Sequence, residues 1–269
     1  LGFHRGGTTF VQRLLNCHED VMIWGENSGL LAKMRRIQHD LEQQLRKVDA
    51  TEYAEFSSFT DTFDPWTSPV DGDDVIRKMG CFLESLYRTD VRCRVWGFKE
   101  IRHCNRPDVA FLKRVLPKAR LVLLLRDPGD LLMSDFRSAW SPARKMREAD
   151  YVKEFTERYI RGVRAFLEAG NQWPEQVQVL GYEGFRDGDD LLRVLEWLGL
   201  PRRGLEHQLV DRVRDQKVGS SYSDTGRHVS SKEARSIERQ FNRYLAAMLE
   251  DAELSSPTES VKKWYPNCF

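Results

Sequence analysis

Arg5 stands inside a short loop of glycines and threonines, Leu1-Gly2-Phe3-His4-Arg5-Gly6-Gly7-Thr8-Thr9, which runs straight into a helix-patterned stretch, Phe10 to Leu15. Gly6 and Gly7 let backbone N–H groups close around an anion, the hydroxyls of Thr8 and Thr9 add donors, and the start of the following helix contributes its positive end. An anion site fits these residue types. An ordinary strand-to-helix turn would also use the two glycines, so the neighbouring residues must decide between them.

The spacing from Gly2 to Gly7 matches a nucleoside triphosphate loop, yet Thr8 and Thr9 stand where such a loop places Lys and Ser or Thr. Without that Lys to reach the β- and γ-phosphates, hydrolysis of ATP or GTP is not expected. The cation is Arg5 instead, whose guanidinium holds a terminal phosphate or sulfonate bidentately and stays charged at any working pH. A second anion-binding pattern follows the apolar run Leu121 to Leu125: Arg126 ends the run and Ser134 lies eight positions later, one or two turns into the next helix. Open α/β sheets bind ligands at the carboxyl ends of their strands, where Arg126 falls. Two such sites imply a ligand carrying two separated phosphates.

The surrounding pattern supplies the frame. Apolar residues recur at helical spacing over Leu30, Met34, Ile37, Leu41, Leu45 and Val48, and again over Val152, Phe155, Tyr159, Val163 and Phe166. Short apolar runs lie between such segments, at Val21–Ile23, Val95–Phe98, Leu121–Leu125 and Val177–Leu180. The third has no polar alternation, as expected of a strand covered on both faces in a parallel sheet. The expectation is an α/β fold, a single domain over residues 1–269, with a central parallel sheet flanked by helices and a P-loop-like strand-loop-helix at its start. The least regular stretch, Phe56 to Asp74, reads either as a lid or acceptor-pocket wall or as a surface insertion.

Length and composition narrow the function classes. The 269 residues, 41% apolar and 31% charged, suffice for a large buried core. Forty-two Lys and Arg against 41 Asp and Glu leave a net charge of +1, so no global field recruits nucleic acid or an anionic membrane, and any anion must be bound locally. No run approaches the ~20 apolar residues of a membrane span. A cytoplasmic location is expected; the chain opens at Leu1 inside the loop motif, so the first strand is expected to lack its N-terminal end and any upstream signal or anchor is out of view. Cys17, Cys81, Cys93, Cys104 and Cys268 form no CxxC pair, which suggests mostly buried free thiols and no metal site. The charged clusters at Lys33–Arg36 and Arg144–Arg147 read as solvated helix faces.

The Arg5-Gly6-Gly7-Thr8-Thr9 loop, the Arg126…Ser134 arrangement and the Tyr182-Glu183 pair after the fourth run together resemble the sulfotransferase superfamily that uses 3′-phosphoadenosine 5′-phosphosulfate (PAPS). The resemblance extends from Leu1 to about Glu183. It implies that Arg5, Gly6, Gly7, Thr8 and Thr9 hold the 5′-phosphosulfate, that Arg126 and Ser134 hold the 3′-phosphate, and that Tyr182 and Lys217 are weaker cofactor contacts. It also implies Glu26, in Trp24-Gly25-Glu26, as general base, because the tyrosylprotein and several glycan sulfotransferases carry a Gly-Glu there; capping of the following helix is the plainer reading of that carboxylate. Lys99, at the end of the second run, is implied as the cation that stabilises the transferring group. The small-phenol cytosolic branch places a His two positions after this Lys, where this chain has Ile101. His103 and Glu100 are lesser alternatives to Glu26, with Glu100 better suited to a salt bridge. His4 departs from relatives that carry Pro at its position, and Trp24 and Phe98 occupy the neighbourhoods where secretory tyrosylprotein enzymes carry a disulfide. By this resemblance the chain is an enzyme that moves a sulfuryl group from PAPS to a hydroxyl, less readily an amine, on a small-molecule, glycan or peptide acceptor, with no metal, leaving adenosine 3′,5′-bisphosphate. A P-loop-type nucleotide kinase or nucleotide-binding module is the alternative.

Overall fold

A computed structural model of the chain describes residues 1–45, 71–89, 93–102, 105–138, 141–215 and 229–250. Four short strands form its centre: β1 (Val21–Trp24), β2 (Val95–Phe98), β3 (Leu121–Leu125) and β4 (Val177–Gly181). β1 runs parallel to β2, with Val21 opposite Val95 and Trp24 opposite Phe98; β3 runs parallel to β4, with Leu121 opposite Val177 and Leu125 opposite Gly181. The opening dipeptide lies between the two pairs. Gly2 donates its N–H to the Glu100 carbonyl at 3.2 Å and bridges in parallel to Leu124, whose own N–H reaches the Leu1 carbonyl at 2.8 Å. The resulting order is β1, β2, residues 1–2, β3, β4, so the segments after each of them, carrying Arg5, Glu26, Lys99, Arg126 and Tyr182, emerge at strand carboxyl ends.

Both faces of the sheet are covered, as the unbroken apolar run of β3 requires. Leu121, Leu123 and Leu125 face one core with residues of α2 (Leu30–Leu45), α3 (Gly72–Tyr87), α4 (Arg106–Val115), α5 (Pro128–Arg137), α6 (Glu148–Gln172) and α10 (Ser231–Glu250). Leu124 and Leu180 face the other, with α1 (Thr8–Leu15), α7 (Tyr182–Asp187), α8 (Asp190–Trp197) and α9 (His207–Asp215). The period-2 alternation of a strand sends neighbouring leucines to opposite cores. Leu123, on the first face, is fully buried. The arrangement is a single α/β domain with a parallel centre and helices on both sides.

The 25-residue α6 is the longest helix described and the spine of the larger core. All five residues expected on its inner face, Val152, Phe155, Tyr159, Val163 and Phe166, are buried. In α2 the expected stripe is rotated: Leu31, Met34 and Gln38 turn inward, and Ile37 is more than half exposed. Polar Gln38 occupies the inward position because its amide meets Glu42 one turn later. The irregular stretch also ends earlier than its composition suggests. Asp71 accepts the Asp73 N–H at 2.8 Å and starts α3 at Gly72, so residues 72–74 are helical, while 56–70 lie outside the described residues.

Candidate active site

The phosphate-loop candidate turns through two left-handed residues, of which Arg5 is strained and Gly7 is not. Gly6 donates its N–H to the Phe3 carbonyl at 2.9 Å, closing a tight turn. Arg5 has φ 63° and Gly7 φ 86°, both in the left-handed region, which costs a non-glycine residue of the order of 1–2 kcal/mol. Arg5 is kept there from two sides: its carbonyl accepts from a terminal guanidinium nitrogen of Arg126 at 3.0 Å, and its own Nε donates to Ser134 Oγ at 3.2 Å. Gly7 has no freedom to be anything larger. A Cβ there would lie 2.5 Å from Cε2 of Tyr182, whose ring floors the loop. The Arg126 guanidinium lies 4.9 Å over that same ring, a cation–π contact.

The helix behind the loop leaves donors free. α3, α4 and α5 begin under side-chain caps, from Asp71, Asn105 and Asp127. α1 begins under Gly7 with no side-chain cap and no acidic residue in its first turn. Its first N–H groups, from Thr8, Thr9 and Phe10, precede the first i→i−4 bond, which Val11 makes to Gly7 at 3.1 Å. These N–H groups, with Arg5, Arg126 and Ser134, form one cationic, donor-rich cradle at the carboxyl ends of residues 1–2 and β3. Ser134 sits in the second turn of α5, as its spacing from Arg126 predicts.

A second cluster follows β1 and β2. The Trp24–Phe98 pairing, with the Lys99 N–H donating to the Trp24 carbonyl at 2.9 Å, brings the next residues of both strands together, so Lys99 Nζ contacts Glu26 Oε1 directly. Arg102 donates to Glu26 Oε2 at 3.2 Å and to Glu100 Oε1 at 2.9 Å, bridging the two carboxylates. Glu100 is wholly buried and also accepts the Gly29 and Ile101 N–H groups at 3.3 and 2.9 Å. Its role here is to tie down the turn after Glu26, where Ser28 and Gly29 both have positive φ. Capping does not explain Glu26, since Asn27 Oδ1 accepts the Leu30 N–H at the start of α2, at 3.1 Å.

Several groups at the site were not singled out by residue type. Arg102, three positions after Lys99, becomes visible only when the β1–β2 register is known. Asp135, next to Ser134, accepts from His4 Nδ1 at 2.8 Å, from the Tyr151 hydroxyl, and faces Arg158 at 3.9 Å. Burial works against ionisation of Asp135, but hydrogen bonds from His4 and Tyr151 and the charges of His4 and Arg158 win, holding its carboxyl below the usual range. Tyr151 is shifted the other way by burial and by that carboxylate. α6 thus braces both candidate anion-binding segments: Tyr151 grips α5, the Tyr159 hydroxyl donates to the Arg126 carbonyl at 3.2 Å, and the Tyr159 ring packs 5.0 Å from Phe3.

Other expected residues fall elsewhere. Lys217, His103, Cys104, Cys268 and Trp140 lie outside the described residues. Cys17 and Cys93 are buried and Cys81 is exposed. Among the described residues no three His, Cys, Asp or Glu side chains gather as metal ligands, and no helix is long and apolar enough to cross a membrane. A cavity of about 390 Å³ lies lined by Val95–Lys99, Leu121, Val122, Leu124 and Thr8; it is the slot between β2 and β3 in line with residues 1–2, mostly apolar, and reaches the site only at Thr8 and Lys99.

The model of the Sulfotransferase family matches residues 1–204. Among solved structures, a sulfotransferase from Alicyclobacillus acidocaldarius is similar at 15% sequence identity and a TM-score of 0.48, covering 93% of this chain and 94% of that one. No curated protein sequence matches. The span matched by the family model holds the glycine loop, all four strand ends and both side-chain clusters, and the chain belongs to the sulfotransferase family.

Proposed function

We propose that this sulfotransferase takes its sulfuryl group from PAPS and passes it to a hydroxyl acceptor, with Glu26 as general base and Arg5 and Lys99 as the cations at the reacting group. The observation that carries the reading is the meeting of two strand-end anion elements at one place: Arg126 reaches the Arg5 carbonyl at 3.0 Å, and Arg5 reaches Ser134 at 3.2 Å. A nucleotide bearing 5′ and 3′ anionic groups needs two donor sets one ribose apart. The chemistry of the set fits: the uncapped N–H groups of α1, two hydroxyl-bearing Thr, two guanidiniums and Ser134 are all donors to phosphate oxygens.

Bound PAPS would supply an activated sulfuryl group, whose bond to a phosphate oxygen breaks as the acceptor oxygen bonds to sulfur. The loop N–H groups with Thr8 and Thr9 would hold the 5′ side, and Arg126 and Ser134 the 3′ side. Tyr182 supports that arrangement from below through Gly7 and Arg126. Glu26 Oε1 or Oε2 takes the proton of the acceptor hydroxyl, a contribution worth typically ~10²–10⁴-fold. Lys99, only 12% exposed and in contact with Glu26, offers a positive charge beside the oxygen that gains negative charge. Arg102 and Glu100 keep the Glu26 carboxylate in place. The acceptor is a small molecule, a glycan or a peptide.

The test is transfer of ³⁵S from labelled PAPS to a panel of phenolic, sugar and tyrosine-peptide acceptors, with and without EDTA, beside binding of adenosine 3′,5′-bisphosphate and of ATP with Mg²⁺. Transfer with bisphosphate binding supports the proposal. Tight Mg²⁺-dependent ATP binding with no response to the bisphosphate would replace it with a nucleotide kinase.

A further inference from the structure

Two consecutive residues of the glycine loop meet two consecutive residues of α5. Arg5 Nε donates to Ser134 Oγ at 3.2 Å, and His4 Nδ1 meets Asp135 Oδ1 at 2.8 Å. The two contacts differ in kind. Arg5 and Ser134 are both donors to phosphate, so an anion competes for each of them. Asp135 is 1% exposed and carries a negative charge, so it can bind no phosphate and cannot turn to solvent. It is fixed on the far side by the Tyr151 hydroxyl of α6, with Arg158 at 3.9 Å. An ionised carboxylate only accepts, so the His4 Nδ1 must carry the proton in this contact.

We propose that the His4–Asp135 hydrogen bond is a strut that sets the distance between the loop holding the 5′ anion and the helix whose Ser134 holds the 3′ anion, making His4 a positioning residue for two-point nucleotide binding. The inference rests on the two-anion reading above. When a ligand draws Arg5 and Ser134 to itself, the strut still ties the loop to α5, while the Arg126 contact to the Arg5 carbonyl ties the loop to the end of β3 just before that helix. Two half-sites held at fixed spacing bind a two-anion ligand with the advantage of an intramolecular second contact. Loss of the spacing removes that advantage and leaves each half-site as it was.

The experiment is calorimetric titration of wild type, His4→Ala and His4→Asn with adenosine 3′,5′-bisphosphate, 5′-AMP and 3′-AMP, alongside thermal melts. Asn carries an amide N–H close to the place of the histidine Nδ1–H and should restore the strut. His4→Ala is expected to weaken the bisphosphate about tenfold while each monophosphate changes less than about twofold, and His4→Asn to recover most of the loss. Equal weakening of the bisphosphate and 5′-AMP would overturn the proposal, because His4 would then touch the 5′ anion itself. A lowered melting temperature with all three affinities unchanged would overturn it also, leaving His4 a stabilising residue only. Wild type binding the bisphosphate no tighter than 5′-AMP would be a different failure, that of the two-anion reading itself.

Discussion

Replacing Glu26 by Gln changes one atom of the acid and leaves its shape, so the result separates chemistry from folding. The stability cost is small. Glu26 is 31% exposed and its partners Lys99 and Arg102 are 12% and 50% exposed, a part-solvated triad in which each pair contributes about 0–1 kcal/mol after screening. The amide oxygen can still accept from one of the two cations. The catalytic cost expected of the proposed general base is larger: its loss removes ~10²–10⁴-fold, or about 2.7–5.4 kcal/mol of transition-state stabilisation. Binding moves in the opposite sense, because Lys99 and Arg102 lose a competing negative charge. Affinity for adenosine 3′,5′-bisphosphate should therefore hold or tighten a few-fold. Single-turnover transfer of ³⁵S from PAPS at saturating acceptor, with bisphosphate titrations and melts on the same preparation, reads all three. A variant that transfers at the wild-type rate would remove Glu26 from the chemistry, and one that loses transfer and bisphosphate binding together would make it a structural residue of the turn.

Gly7→Ala forces a methyl against the Tyr182 ring at φ 86°. It should lose nucleotide binding and about 1–3 kcal/mol of stability in a chemical melt, and Tyr182→Ala in the same chain should recover only the steric share. The Asp135–Tyr151 pair gives stability an acid and an alkaline limb. Asp135, held below its ordinary range, contributes stability above the unfolded carboxyl value near 4 that is lost as pH falls through the folded one; Tyr151, held above its ordinary value near 10, contributes stability that is lost as pH rises past that value. Melts from pH 2 to 11 should show both limbs, and Asp135→Asn should flatten the acid one. Unchanged acid sensitivity in that variant would assign the limb to other carboxylates.

The parts of this site that were legible in the sequence are those set by local backbone demands. Consecutive glycines before a helix-patterned run mark the loop, and four unalternated or short apolar runs mark the strands to within a residue or so of their observed ends. Arg126 and Ser134 are placed by the helix that starts at Asp127 and Pro128, two residues that cap and open a helix whatever surrounds them. Residues set by strand order were not legible. Arg102 meets Glu26 only because β1 and β2 pair in register, and Asp135 meets His4 only because residues 1–2 lie beside β3, pairings between segments tens to more than a hundred positions apart. Ile37 was misplaced for a related reason. The direction a helix faces is chosen by its neighbours, and in α2 they bury Leu31 and Gln38 at the expense of a hydrophobic residue with the right spacing.

In the proposed complex one nucleotide is gripped at two ends, by the glycine loop and by the Arg126–Ser134 pair. Its most direct measurement is the affinity of wild type and Arg126→Ala for adenosine 3′,5′-bisphosphate and for 5′-AMP at fixed ionic strength. A charge-assisted contact to phosphate is worth about 1.5–3 kcal/mol, so Arg126→Ala should weaken the bisphosphate by roughly 10- to 150-fold and leave 5′-AMP within a few-fold of wild type. Equal losses for the two ligands would contradict the account, because Arg126 would then act on the loop alone and not on a second phosphate.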